Sequence, residues 1–408
     1  MQKKVLVMAV AAALIVPAVC AAKGEGGGGG KDEDSVVELY GKVYPEILRP
    51  SGKDATPAGT PVATIAGTPT GTNSIISRQE MDSSNSRFGV RGSEKLGRDL
   101  RAIFQLETEF HVDSNDSAFA QRDSFVGLAS KAWGTVKLGR MDTPFKTFGD
   151  DLSFLGISSG NFVSTSNILR KTGFGTNSAS SFHLRRQNVV QYETPDFAGF
   201  NGAVQYSTDE ADTSTRKPHV WSGAIGYERG GLKASLAYEQ HWDLFGGSKN
   251  VPTSMSNAND PSVRSNDKAW QAMLQYRWGK HTFEADYIQK KYNENGTSVV
   301  GRFSSYRNNA YEIAWDARWT NAWRTMLEYV KAEKGSCTRV SAVCTTDGLD
   351  GSQLQFGVAY YFSKRTYLFA MGALLKNGFS ARYNNLNLQA PSVGEDISTY
   401  AIGMSHSF

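Results

Sequence analysis

The stretch AWQAMLQYRWGKHTFEADYIQ, residues 269–289, puts Trp270, Ala272, Leu274, Tyr276 and Trp278 on one parity and Gln271, Met273, Gln275 and Arg277 on the other. After Gly279-Lys280, Phe283, Ala285 and Tyr287 resume against Thr282, Glu284 and Asp286. A period of two belongs to a β-strand whose faces meet unlike surroundings. The rhythm recurs at 36–44, 101–109, 232–242, 311–319, 323–331, 354–362, 367–375 and 400–408. Weaker stretches at 87–92, 123–129, 135–141, 188–193, 200–206 and 221–228 bring the expectation to about sixteen strands.

The connections alternate in length. Short ones fall at 93–99, 130–133, 194–199, 229–231, 279–280, 320–322 and 363–365; long ones fall at 49–85, 111–121, 142–187, 207–220, 243–266, 293–308, 332–350 and 376–397. Each strand pair therefore has a tight end and an elaborate end, the plan of an outer-membrane barrel with short periplasmic turns and long external loops. The eight steps from Trp270 to Trp278 make roughly 26 Å of strand at ~3.3 Å per residue. Tilted at ~40°, that spans about 20 Å, comparable with the ~25 Å apolar band of such barrels. Aromatics at both ends suit two lipid interfaces, so the apolar parity is expected to face lipid. A soluble sandwich also alternates, but it needs about half as many strands and prefers aliphatics on its inner face. Closure also removes the unpaired edges that lipid penalises.

Composition alone would conceal this, since hydrophobic residues make up 40% of the chain and mean hydropathy is −0.40. Residues 1–22 carry Lys3 and Lys4, an apolar run from Val5 to Val16, Pro17 and small residues, the build of a secretory signal peptide. Cleavage is expected after Ala21 or Ala22. A lipidated Cys20 is the rival reading, with bulky Val19 against it. Removal of the segment leaves 42 basic against 40 acidic residues, no basic face for nucleic acid. Residues 23–35, rich in glycine, read as a flexible leader. Their G-x-G-x-x-G lacks the flanking strand and helix of a nucleotide site. Cys337 and Cys344 then remain as a close pair, expected to form a local disulfide clamping a surface loop. The region 36–408 is expected to form the barrel.

Apolar residues outside put Arg101, Gln105, Glu107, Gln271, Gln275, Arg277, Glu284, Asp286, Glu312, Asp316 and Arg318 inside. About sixteen strands enclose more space than side chains fill, so the lumen holds water and passes small polar solutes. The connection 143–186 departs from the other loops: Phe145, Phe148, Leu152, Phe154, Leu155, Ile157 and Phe162 make it too apolar for solvent. Folding against the inner wall would narrow the pore.

Enzymatic and metal signatures are weak. GISSG, 156–160, formally matches a nucleophile elbow but lacks the strand-to-helix context and a partnered histidine. The six histidines are scattered without ligand spacing, and Asp113-Ser-Asn-Asp116 reads as solvated loop polarity. No enzyme activity, cofactor or metal is therefore expected.

Several blocks resemble a known family. SRFGVRGSEKLGRDLRAIFQLETEF (86–110), RDSFVGLASKAWGTVKLGR (122–140), LRRQNVVQYETPDFAGFNGAVQYS (184–207), FSKRTYLFAMGALLKN (362–377) and the terminal GMSHSF are similar to general porins of Gram-negative bacteria, in the branch typical of beta-proteobacteria. The resemblance implies a homotrimer of sixteen-stranded barrels, each with a water-filled pore narrowed by its third loop. It implies outer-membrane localisation among lipid and lipopolysaccharide, and Phe408 with Tyr400 as part of the signal read by the barrel assembly machinery. It also implies a constriction of basic wall residues, Arg87, Arg91, Arg101, Arg122 and Arg185, facing the third loop's acids Asp150 and Asp151. The Gly-rich leader, the Pro/Thr-rich loop 49–85 and the cysteine pair depart from the pattern.

Lys146, Arg170, Lys171, Arg185 and Arg186 outnumber Asp150 and Asp151, which predicts weak anion preference. A solute-specific channel is the alternative, and a barrel-type outer-membrane hydrolase a remoter one.

Overall fold

The computed structural model describes Ser35–Phe408 apart from residues 115–118, 150–151 and 158–159. The expected signal segment 1–22, the leader up to residue 34, Asp116, Asp150, Asp151 and Ser158 lie outside the described residues.

Sixteen antiparallel strands form the wall. Strand β1 has two pieces, Ser35–Val43 and Glu46–Lys53, split at Tyr44-Pro45; β2 likewise comprises Glu80–Asp82 and Arg87–Gly97. There follow β3 (Leu100–Glu109), β4 (Ser124–Ser130), β5 (Gly134–Asp142), β6 (Arg185–Glu193), β7 (Phe200–Thr208) and β8 (His219–Arg229). The second half comprises β9 (Leu232–Trp242), β10 (Arg264–Trp278), β11 (His281–Asn295), β12 (Phe303–Arg318), β13 (Trp323–Ala332), β14 (Gly351–Tyr361), β15 (Thr366–Asn377) and β16 (Asp396–Ser407). Each strand pairs with its sequence neighbour. The ring closes where β16 meets β1, from Asp396↔Lys53 through Gly403↔Glu46 to Lys42↔Ser407.

Alternation becomes two surfaces because the registers align equal parities across the wall. Leu274, Ala285, Ile313, Tyr329 and Leu354 form one continuous row, and Gln275, Glu284, Ala314, Glu328 and Gln355 form the row beside it. The first row points outward: Leu274 and Ile313 are 53% and 63% exposed. The second points inward, with Gln275 6% and Glu284 4% exposed. Trp270, Tyr276 and Trp278 lie on the outer face beside Leu274, at the levels where aromatic rings meet a lipid interface.

The wall is uneven in height. β4 has seven residues, whereas β10, β11 and β12 have 15, 15 and 16. At ~3.3 Å per residue and ~40° tilt, β12 rises about 40 Å, beyond the ~25 Å apolar band. Here the structure corrects the expected loop boundaries. Residues 293–308, read as a long loop, are mostly strand, with only 296–302 between β11 and β12; the strands around 49–85 likewise reach Lys53 and resume at Glu80.

Loop 54–79 folds onto its neighbours above the wall. The Glu395 carboxylate accepts from the backbone N–H of Ser74 (2.8 Å), Ile75 (3.0 Å) and Ser392 (2.7 Å). Cys337 and Cys344 form a disulfide, as expected, within the loop that follows β13. Beside it, Thr64 N donates to Thr345 Oγ1 (3.0 Å) and Thr345 N donates to Thr64 Oγ1 (2.9 Å).

Candidate functional site

The third long loop, 143–184, enters the barrel because its side chains have apolar partners there. Helix α1 (Pro144–Phe148) starts at Thr143, whose hydroxyl accepts from Lys146 N, and Pro144 supplies a preset φ at the first turn. Phe145 is fully buried, and its N–H donates to Ser222 Oγ of β8 (2.9 Å). Phe148 O accepts from Ser235 Oγ of β9.

The chain next turns at Leu155 (φ 48°) and Gly156 (φ 80°). A left-handed conformation in a bulky residue costs of order 1 kcal/mol, sustained here because Leu155 is fully buried and its N–H donates to Met326 Sδ of β13 (2.8 Å). The turn directs Gly156 O to Lys42 Nζ of β1, which donates at 3.2 Å. Helix α2 (Ser166–Leu169) then seats Ile168 and Leu169 in the core. Lys290 Nζ of β11 donates to Leu169 O (2.6 Å) and Lys171 O (2.8 Å).

Two walls of opposite sign face this loop. The first carries cations held by carboxylates. Arg122 donates to Glu107 Oε1 (2.5 Å) and Glu109 Oε2 (3.0 Å); Arg185 donates to Asp123 (2.6 Å) and Asp142 (3.1 Å); Lys146 pairs with Asp142 (2.9 Å). Arg87 lies within electrostatic reach of Arg122 and Glu107. The second wall, on β11 to β13, carries Glu284, Asp286, Glu312, Asp316 and Glu328, with Arg324 Nε donating to Asp316 (2.6 Å). A cavity of about 240 Å³ reaches both walls, with Arg122, Asp142 and Lys146 on one flank, Glu328 on the other, and Phe154 and His183 between.

Burial holds Lys146 below its ordinary range, partly offset by Asp142. Burial, reinforced by Lys146 and Arg170, also pushes His183 well below the usual imidazole value.

Of the cations singled out in the sequence, Arg87, Arg122 and Arg185 gather on the first wall. Arg91 sits lower, three residues from where β1 begins in the register, paired with Glu38 at 2.8 Å, and both are half exposed. Arg101 lies beside the turn after β2 and donates to Ser93 Oγ (3.0 Å). Arg170 is turned away from water: it is fully buried, donating to Gln271 Oε1 (3.1 Å) and Gly149 O and meeting His183 Nδ1 (2.7 Å). Tyr400 faces outward on β16, while Phe408 exchanges backbone hydrogen bonds with Gly41 (3.1 and 3.3 Å).

Sequence reasoning missed Lys42, Lys146 as a wall partner, and Glu46, which accepts from Asn161 Nδ2 (2.7 Å). The signal for Lys42 was present, since it shares the inward parity of Glu38 and Tyr40.

Comparison with known proteins agrees with the barrel fold. A family model described as Gram-negative porin matches residues 8–380. Outer membrane porin protein 32 of Delftia acidovorans is 28% identical over 341 residues, covering 80% of this chain and 85% of that one. Major outer membrane protein P.IB of Neisseria gonorrhoeae is 27% identical over 302 residues, covering 72% and 79%. Among solved structures, the anion-selective porin from Comamonas acidovorans superposes with TM-score 0.66 at 24% identity, covering 92% of this chain and all of that one. The chain belongs to the Gram-negative porin family, in its beta-proteobacterial branch, and is an outer-membrane channel protein.

Proposed function

We propose that the chain forms a homotrimeric general diffusion pore for small hydrophilic solutes and ions, with weak anion preference. The observation that carries this reading is the charge balance along the first wall. Lys42, Arg87, Arg122, Arg140, Lys146, Arg185 and Arg186 stand among Glu46, Glu107, Glu109, Asp123, Asp142 and Asp209, an excess of one positive charge. With Glu328 across the gap, this sets a transverse field that orients dipolar solutes and favours anions. Arg170 and Lys171 bond to loop and wall groups, so the preference rests on the wall cations. The solved relative named as anion-selective supports the same sign.

Zero-current potentials across a bilayer under a KCl gradient test the preference, and a clear cation sign refutes it. Liposome swelling with sugars of graded size tests the breadth. A smooth decline with mass supports a general pore, and one favoured solute supports a specific channel.

The remaining expectations belong to the same reading. Residues 1–22 are removed on export, 23–35 form a leader, and 36–408 form the barrel with 143–186 as constriction. Arg91 and Arg101 act as lower rungs of the cation row, and Asp150 and Asp151 as the opposing loop acids. Tyr400 and Phe408 serve the assembly machinery, and the outer surface meets lipid and lipopolysaccharide. A channel rather than a hydrolase is favoured because the matching family model and relatives are porins, and GISSG begins at the end of a three-residue 3-10 turn, Phe154–Gly156, rather than at the end of a strand.

A further inference from the structure

Behind the third loop, the second wall gathers three carboxylates into one small volume. Glu284 and Asp286 share the inward face of β11, and Glu312 of β12 is the register partner of Asp286. One carboxylate oxygen from each residue lies within 4.8 Å of the other two, and all three side chains are at least 95% buried. Carboxylates this close repel one another, and burial removes the water that would screen them.

Amide donors face two of them. Glu284 accepts from Leu152 N (3.3 Å) and Gln275 Nε2 (2.7 Å), and Asp286 Oδ1 accepts from Gln271 Nε2 (3.1 Å). Asp286 Oδ2 is buried and, among the described residues, accepts no hydrogen bond. Arg170 brings one positive charge to Asp286.

The donor set is all oxygen and anionic, the chemistry of a hard cation. Oxygens around a calcium ion at ~2.4 Å lie up to about 4.8 Å apart, so the spacing admits calcium, whereas magnesium gives up its water reluctantly and is seldom held by a cage of protein oxygens alone. We propose that Glu284, Asp286 and Glu312 form a divalent-cation site of calcium type between the wall and the third loop. Because Leu152 of the loop bonds to Glu284, the bound ion ties the loop's middle to β11. The site is independent of the sign of the pore's ion preference.

The test uses the full-length mature chain refolded in detergent, free of lipopolysaccharide, stripped with EDTA and equilibrated with radioactive calcium chloride. One calcium per chain at millimolar concentration, lost in Asp286→Asn and Glu312→Gln and poorly displaced by magnesium, is expected. Substoichiometric binding by the wild-type chain overturns the proposal, as does equal binding by both variants or equal displacement by magnesium. Should either variant fail to refold, Glu284→Gln takes its place, and the wild-type stoichiometry remains decisive.

Discussion

Lys42 of β1 and Gly156 of the third loop, 114 residues apart in the chain, meet through a 3.2 Å hydrogen bond from Nζ to the carbonyl oxygen. Lys42 is 6% exposed, and its ammonium also lies 4.8 Å from the Tyr44 ring centre. The contact pins the turn of the loop to the strand that closes the barrel.

Lys42→Gln is therefore expected to lower the anion-to-cation permeability ratio. A unit charge ~8 Å from the ion path contributes about 0.5 kcal/mol in water, so the ratio should fall roughly twofold or more. Lys42→Glu should fall further. Zero-current potentials measure both, and an unchanged ratio in the glutamate variant would place Lys42 outside the conduction path.

Arg122 holds two acids at once, Glu107 and Glu109. Arg122→Ala leaves Glu107, which is 8% exposed, without that partner and should destabilise the barrel by about 1–3 kcal/mol. The double variant with Glu107→Ala should recover part of the loss, because the orphaned charge is gone. Urea unfolding of the refolded proteins reads the cycle, and simple additivity would contradict it.

His183 gives the third loop's seat a pH dependence. Its folded value lies well below 6.5 because of burial, so the docked loop holds it neutral while an undocked loop takes up a proton. The undocked state binds more protons below about pH 6.5, and stability of the seat falls as pH drops through that window toward the folded value. Hydrogen exchange of 154–170 should quicken between pH 7 and pH 5. His183→Asn should flatten the response, and an unchanged slope in that variant would assign the effect to another group.

Strands in the lipid band were legible because lipid on one side and water on the other impose strict alternation, as from Trp270 to Trp278. Above the band both faces are wet, which is why Asn293–Asn295 and Phe303–Asn308 read as loop although they belong to β11 and β12. Within the site, Arg87, Arg122 and Arg185 were legible from the blocks around them. Arg170 counted as a pore charge in sequence because its side chain's direction depends on Gln271 and Gly149, both distant along the chain.

The disulfide should act locally. Closing an eight-residue loop is worth about 2.5 kcal/mol in the chain-entropy account, and the pair lies beside the Thr64–Thr345 contact rather than the third loop. Cys337→Ser with Cys344→Ser should speed protease nicking around 337–345 while leaving single-channel conductance unchanged. A large conductance change would connect this loop to the constriction.

Spin labels placed singly at Leu274, Ile313 and Val358 on the outer rows, and at Arg91 on the inner face, test the membrane orientation most directly. In bilayers, the first three should be broadened by oxygen and protected from a water-soluble nickel complex, with the reverse at Arg91. Nickel access at all three outer positions would contradict a barrel with lipid outside and water within.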